Sequence, residues 1–143
     1  MEYTWIFFAI LSAITAALVA IFSKIGLEKI DANTATAIRA VIMAAFLLIF
    51  ILIQNKMGNI TEILKDSKAL TFIFLGGISG ALSWLFYFMA LKIGKASHVA
   101  AIDRLSIVFV IIFATLFLGE NLSIKTAAGA VLISAGAILI AIG

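Results

Sequence analysis

The chain has 143 residues, 65% of them hydrophobic and only 12% charged, with a net charge of +3. An ordinary soluble domain is about half apolar and about a quarter charged, so the balance excludes a typical soluble fold, a disordered chain and a nucleic-acid-binding domain. Ten Lys and Arg scattered along the chain form no basic stripe, zero Cys removes disulfide frameworks, thiolate metal sites and cysteine nucleophiles, and a single His leaves little for a zinc site or a His-based triad.

A membrane-crossing helix needs roughly 20 mostly apolar residues. Five runs of that kind follow in order: Tyr3–Ser23, Ala32–Ile53, Leu70–Leu91, Ser97–Leu118 and Leu122–Ile142. In lipid they must be helices, because an open strand would leave backbone groups without partners. They lack the alternation of a membrane barrel. The expected fold is therefore an all-α membrane protein, one domain over residues 1–143. The first run opens with Met1-Glu2 and no Lys or Arg, which does not read as a cleaved signal peptide. The links Lys24–Asp31, Lys92–Ala96 and Gly119–Asn121 are short, so sequential helices run antiparallel. The link Gln54–Ala69 has room for a short interfacial helix over Asn59–Lys65. Asn59 would cap it, with Glu62 three positions on, and Ile60, Ile63 and Leu64 would share a face. Asn59-Ile60-Thr61 also matches a glycosylation acceptor, a triplet too common to weigh.

Small residues recur at packing spacing. The first helix carries Ala9, Ala13, Ala16, Ala20 and Ser23, and the fifth carries Ala127, Ala130, Ser134, Ala137 and Ala141. The third holds Gly76, Gly77 and Gly80, with a GxxxG match between positions 76 and 80. Such stripes let helix backbones approach closely in lipid. They predict a compact bundle first and a substrate contact only second.

Five spans place the termini on opposite faces. The N-terminal face then carries Lys56, Lys65, Lys68 and Lys125. The other carries Lys24, Lys29, Lys92 and Lys95, with Arg39 and Arg104 inside spans nearer to it. This near-balance gives the positive-inside rule little to act on. One expectation is insertion both ways up and an antiparallel homodimer, since many transporters are built from two inverted repeats around a midplane site. The other is a single orientation, with a parallel dimer or none.

Three ionisable residues lie well inside spans: Arg39, Asp103 and Arg104. Such residues are costly in lipid and mark a pathway or a pair. At 1.5 Å per residue, Arg39 lies about 10 Å and Asp103 about 9 Å along their helices from the same face. Trp84 and Tyr87 lie in that half of the third span and share a face with Gly80 and Ser83. Ser106 follows Asp103 by one turn, and Thr15 and Ser134 fall at comparable levels. One layer thus holds a guanidinium, a carboxylate, rings and hydroxyls, the makings of a polar cavity. Arg39 would bind a carboxylate or phosphate in fork geometry. Asp103 would carry a proton if desolvation raises its pKa. The competing readings are that Arg39 and Arg104 snorkel to the surface, that Arg39 and Asp103 form a structural pair, and that Trp84 and Tyr87 are packing or interfacial-belt aromatics. His98, at a helix start, is interfacial and receives no role.

The segment Ala90-Leu91-Lys92-Ile93-Gly94-Lys95-Ala96-Ser97 is similar to the lead into the fourth helix of EamA-like domains. Leu118-Gly119-Glu120-Asn121-Leu122 resembles that family's Leu-Gly-Glu step, and Gly129 and Gly136 match its glycine-bearing last helix. Ile102-Asp103-Arg104-Leu105-Ser106 further resembles a group of single-domain, five-helix members. The resemblance is to the drug/metabolite transporter superfamily. It implies five transmembrane helices forming one half of an inverted-repeat transporter. It also implies a multi-pass protein of the cytoplasmic (inner) membrane that carries small metabolites or drugs, often in efflux, and a homo-oligomeric partner for a half-length chain. It gives Glu120 a structural role at a short turn. The family often carries a proline early in helix four, where this chain has Ala100-Ala101 and no proline anywhere. Gly76, Gly77 and Gly80 then become the expected flexible points.

The leading reading is a secondary carrier, with a small-molecule substrate, the bilayer as surroundings and no nucleic-acid partner. It needs no bound nucleotide or other cofactor, as no phosphate-binding loop is present. A second reading is a non-transporting assembly subunit or scaffold, which would explain the small-residue stripes but not the charged layer. A third, an integral membrane enzyme, lacks a nucleophile–base set or a metal cluster. The substrate-binding candidates are Arg39, Ser83, Trp84, Tyr87, Asp103 and Ser106.

Overall fold

The structure, a computed structural model, describes residues 3–143. Met1 and Glu2, on which the signal-peptide expectation rests, lie outside the described residues. Seven helices are present among the described residues: α1 (Thr4–Gly26), α2 (Ala32–Ile53), α3 (Met57–Lys65), α4 (Ser67–Ile93), α5 (Ala96–Asp103), α6 (Ser106–Leu118) and α7 (Ile124–Ile142). Helices α1, α2, α4 and α7 and the α5–α6 pair are the five stretches long and apolar enough to cross a membrane. No strand occurs among the described residues. The protein is an all-α, multi-pass membrane protein, and its large apolar side chains face outward almost throughout, as a lipid solvent requires.

Helix limits follow local chemistry. Asp31 caps α2: its Oδ2 accepts the Thr34 backbone N–H at 2.8 Å and the Thr34 hydroxyl at 3.0 Å. Those bonds, with the positive charge of Lys92, hold the Asp31 carboxyl below the ordinary carboxylate range. After α2 the chain turns within three residues, with Asn55 in the left-handed region at φ 55°. The turn is so tight that α3 starts at Met57, earlier than expected. Asn59 therefore lies inside the helix rather than capping it, and Lys56 occupies the cap position without a side-chain bond. Asp66 then ends α3 and starts α4, its Oδ1 accepting the Lys68 and Ala69 N–H groups at 3.0 Å each. α6 ends on Gly119 at φ 68°, a conformation glycine adopts freely, and the Glu120 N–H returns to the Ala114 carbonyl. Ser123 caps α7 through the Thr126 N–H at 3.0 Å.

The chain divides into two compact units, Leu27–Lys92 on one hand and α1 with Ile93–Gly143 on the other. In the Leu27–Lys92 unit the buried side chains are Leu27, Ala32, Thr36, Phe88 and Leu91. They gather where the start of α2 meets the end of α4. The Lys92 ammonium seals that end: it donates to the carbonyls of Leu27, Glu28 and Ile30, at 2.5, 3.3 and 2.9 Å. In the second unit α5 packs most extensively on α7, with α1 against α5 and α6 touching α7. The small-residue stripe of α7 is the covered face: Ala137 is buried and Ala127, Ala130, Ser134 and Ala141 are half-buried. On α1 only the later part of the stripe is covered, Ala20 fully and Ala16 and Ser23 in part, while Ala13 stays exposed. Lys24 plays in this unit the part that Lys92 plays in the other, donating to the Gly94 carbonyl at 2.7 Å.

The fourth span runs Ala96–Leu118 as expected, with a local tightening at Arg104 and Leu105, both of which keep right-handed helical angles. By contrast α4 runs unbroken through Gly76, Gly77 and Gly80, and a Cβ built at any of the three meets no atom within 4 Å.

Two outcomes follow for stability. Lys92→Met should cost about 1–2 kcal/mol in unfolding assays, as charge-assisted bonds at a partly wet site are worth that much. Asp31→Ala should lower the melting temperature at neutral pH. Because the folded carboxyl is the stronger acid, the gap to wild type should shrink as pH falls through its depressed pKa. A gap that widens in acid contradicts the cap.

Candidate functional site

The polar layer expected from the sequence is best tested inside the Leu27–Lys92 unit, where four of its members lie. On α2 the inward positions run Ala32, Thr36, Arg39 and Met43, steps of four, three and four that keep one helical face. On α4 they run Trp84, Phe88 and Leu91 by the same rule. The α2 and α4 backbones approach less closely than α5 and α7 do. What bridges the gap is long side chains. The guanidinium carbon of Arg39 lies over the Trp84 ring, 4.3 Å from its centroid, and 5.1 Å from the Phe88 centroid. Tyr87 is near enough to interact with Arg39 electrostatically. Arg39 is half-buried, Phe88 buried and Trp84 half-buried.

The energetics decide what this arrangement lacks. An arginine near the centre of a membrane helix costs about 2.5–3.5 kcal/mol on insertion scales. Each ring face returns about 0.5–2 kcal/mol. Two rings therefore offset much of the cost of the charge. They offer no acceptor, however, and a guanidinium carries five N–H donors. Among the described residues of this unit, Arg39 donates to no side-chain or backbone oxygen. An unmade hydrogen bond in apolar surroundings costs about 1–3 kcal/mol. The donors thus call for water or for an anionic group from outside the unit.

The other candidates stand as follows. Ser83 is exposed on α4, one residue before Trp84. In the second unit Asp103 is the last residue of α5 and Ser106 the first of α6, both exposed, with Arg104 and Leu105 between them. The Arg104 and Leu105 N–H groups bond three residues back, to Ala101 and Ile102, and Ile107 and Val108 bond three back to Arg104 and Leu105. The span is tightened into a 3₁₀ turn there, the kind of interruption that marks hinges and sites. No proline causes it. Asp103 and Ser106 are both residues that compete with the helical backbone and favour helix ends, and that was the signal in the sequence. The hydroxyls expected at this level are satisfied within their own helices: Thr15 donates to the Leu11 carbonyl at 2.9 Å and Ser134 to the Ala130 carbonyl at 2.8 Å. Phe88, absent from the expected set, is found at the site; its spacing of four from Trp84 was the available cue. Among the described residues no group of His, Asp and Glu could hold a metal ion.

Five membrane-spanning helices define a multi-pass membrane protein, and in its Leu27–Lys92 unit a guanidinium is set against two rings. Residues 3–142 match the model of the EamA-like transporter family. The chain is also 41% identical over 142 residues to a protein of Sinorhizobium sp named as an uncharacterized transporter in the cobO 3' region, covering 99% of each chain. No solved structure matches it. The chain belongs to the EamA-like transporter family and is a membrane transporter, which points away from an enzymatic role.

A double-mutant cycle checks the ring contact. In detergent, Arg39→Gln and Trp84→Leu should show a coupling of about 0.5–2 kcal/mol in unfolding free energy. Additive effects would mean the ring does not hold the charge.

Proposed function

We propose that the protein is a secondary carrier of small organic metabolites or drugs in the cytoplasmic membrane, working as a homodimer around a midplane site. The observation that carries this reading is Arg39, which exposes unused donors inside a membrane helix while its charge rests on Trp84 and Phe88. A scaffold has no use for such a group. Two sets of residues are proposed to meet substrate: Arg39, Ser83, Trp84 and Tyr87 in one unit, and Asp103 and Ser106 at the tightened turn of the fourth span in the other. Such 3₁₀ stretches within helices often mark functional positions. Asp103 is the proposed proton carrier, and an exposed carboxylate inside a span needs water or a second copy of the chain rather than acyl tails. The balance of Lys between the two faces favours an antiparallel pair. Gly76, Gly77 and Gly80 remain the proposed helix-packing and gating points, across the dimer or during rocking, since they meet nothing within the chain.

Proteoliposomes loaded with a pH-sensitive dye and offered a metabolite library test the carrier. At least one solute should move protons through the wild type, and Asp103→Asn should abolish that signal while keeping the fold. Solute flux in Asp103→Asn equal to wild type would remove the coupling role. C-terminal reporters active on both sides of the membrane are expected, and signal from one side only would exclude the antiparallel homodimer.

A further inference from the structure

We infer that the ligand taken by Arg39 is an organic monocarboxylate with a compact apolar body. The inference rests on the reading above for placing a ligand at Arg39, but its chemistry comes from the Leu27–Lys92 unit alone.

Three features set the class. The first is the pair of ring contacts, which engage the guanidinium from Trp84 and Phe88 and leave its N–H donors without a protein acceptor among the described residues. A planar fork of donors matches a carboxylate in bidentate geometry. The second is charge balance. Within α2, and on α4 between Lys68 and Lys92, Arg39 is the one side chain charged at neutral pH, so this level of the unit offers a single positive charge. A monoanion neutralises it. A dianion brings an uncompensated charge among apolar groups, and a cation meets repulsion. The third is space. One turn deeper the same two faces present Met43 on α2 and Gly80 on α4. A Cβ at Gly80 would meet no atom within 4 Å. Gly80 is exposed and carries no side chain, so the α4 face adds no bulk one turn from Trp84 that would oppose a ligand's hydrocarbon part.

The test uses the full chain, purified in detergent, with Trp5→Phe leaving Trp84 as the only indole. Probes share a phenyl body and differ in head group: phenylacetate, phenylacetamide, phenethylammonium and phenyl phosphate. Phenylacetate should change Trp84 fluorescence saturably, and the other three should bind at least about tenfold more weakly. Arg39→Gln should weaken phenylacetate roughly 10- to 100-fold, the equivalent of one charge-assisted bond. Arg39→Lys, which keeps the charge but not the fork, guards against misfolding and should still weaken it several-fold. Gly80→Leu should lower phenylacetate affinity by filling the space. Equal affinity for the amide or the ammonium, tighter binding of phenyl phosphate, or phenylacetate binding indifferent to Arg39 overturns the inference. The two readings fail separately. Arg39-dependent phenylacetate binding without flux in proteoliposomes sinks the carrier and leaves this site standing. Flux of neutral or cationic solutes that survives Arg39→Lys sinks this site and leaves the carrier standing.

Discussion

A permanent positive charge about two turns into a membrane helix is the constraint around which the Leu27–Lys92 unit is built. Arg39 cannot be neutralised by losing its proton. It must be compensated by what surrounds it. The unit answers with π faces, Trp84 at 4.3 Å and Phe88 at 5.1 Å, rather than with a carboxylate. A carboxylate would have paired the charge and used the donors at once. Rings soften the charge and leave the donors available.

The same choice shapes packing. Helices α5 and α7 meet through alanine, serine and glycine positions, the usual way for backbones to approach in lipid. Helices α2 and α4 meet through Arg39, Trp84 and Phe88, which hold the backbones apart. The end of that pair is closed instead by Lys92 on the carbonyls of the α1–α2 link. Lys24 closes the α4–α5 link in the other unit by the same chemistry, an ammonium against carbonyl oxygens left free near helix ends.

Much of this was legible in the chain, and the rest was not for identifiable reasons. Long apolar runs exposed all five spans, and Ala32–Ile53 matched to the residue, its start fixed by the Asp31 cap. Arg39 and Trp84 were legible as members of one layer because charged residues and indoles are scarce inside spans. Phe88 was hidden among 12 phenylalanines, in a solvent where an exposed ring carries no penalty. The local tightening at Arg104 and Leu105 leaves no mark in hydropathy, which is continuous across it, and no proline announces it. The start of α3 was placed late because the Asn55 turn, which needs a left-handed residue, gives a weaker sequence signal than the apparent capping box at Asn59.

The family assignment makes the protein a membrane transporter. The central claim is narrower: inside the membrane, Arg39 is held by ring faces and kept open to water or ligand. Solid-state NMR in bilayers addresses it directly, with labels on the guanidinium carbon and the indole in a Trp5→Phe background. The account predicts a guanidinium-to-indole distance matching a ring contact at 4.3 Å, together with magnetisation transfer from water to the Arg39 N–H groups. A dry guanidinium, or one remote from the Trp84 ring, would contradict it.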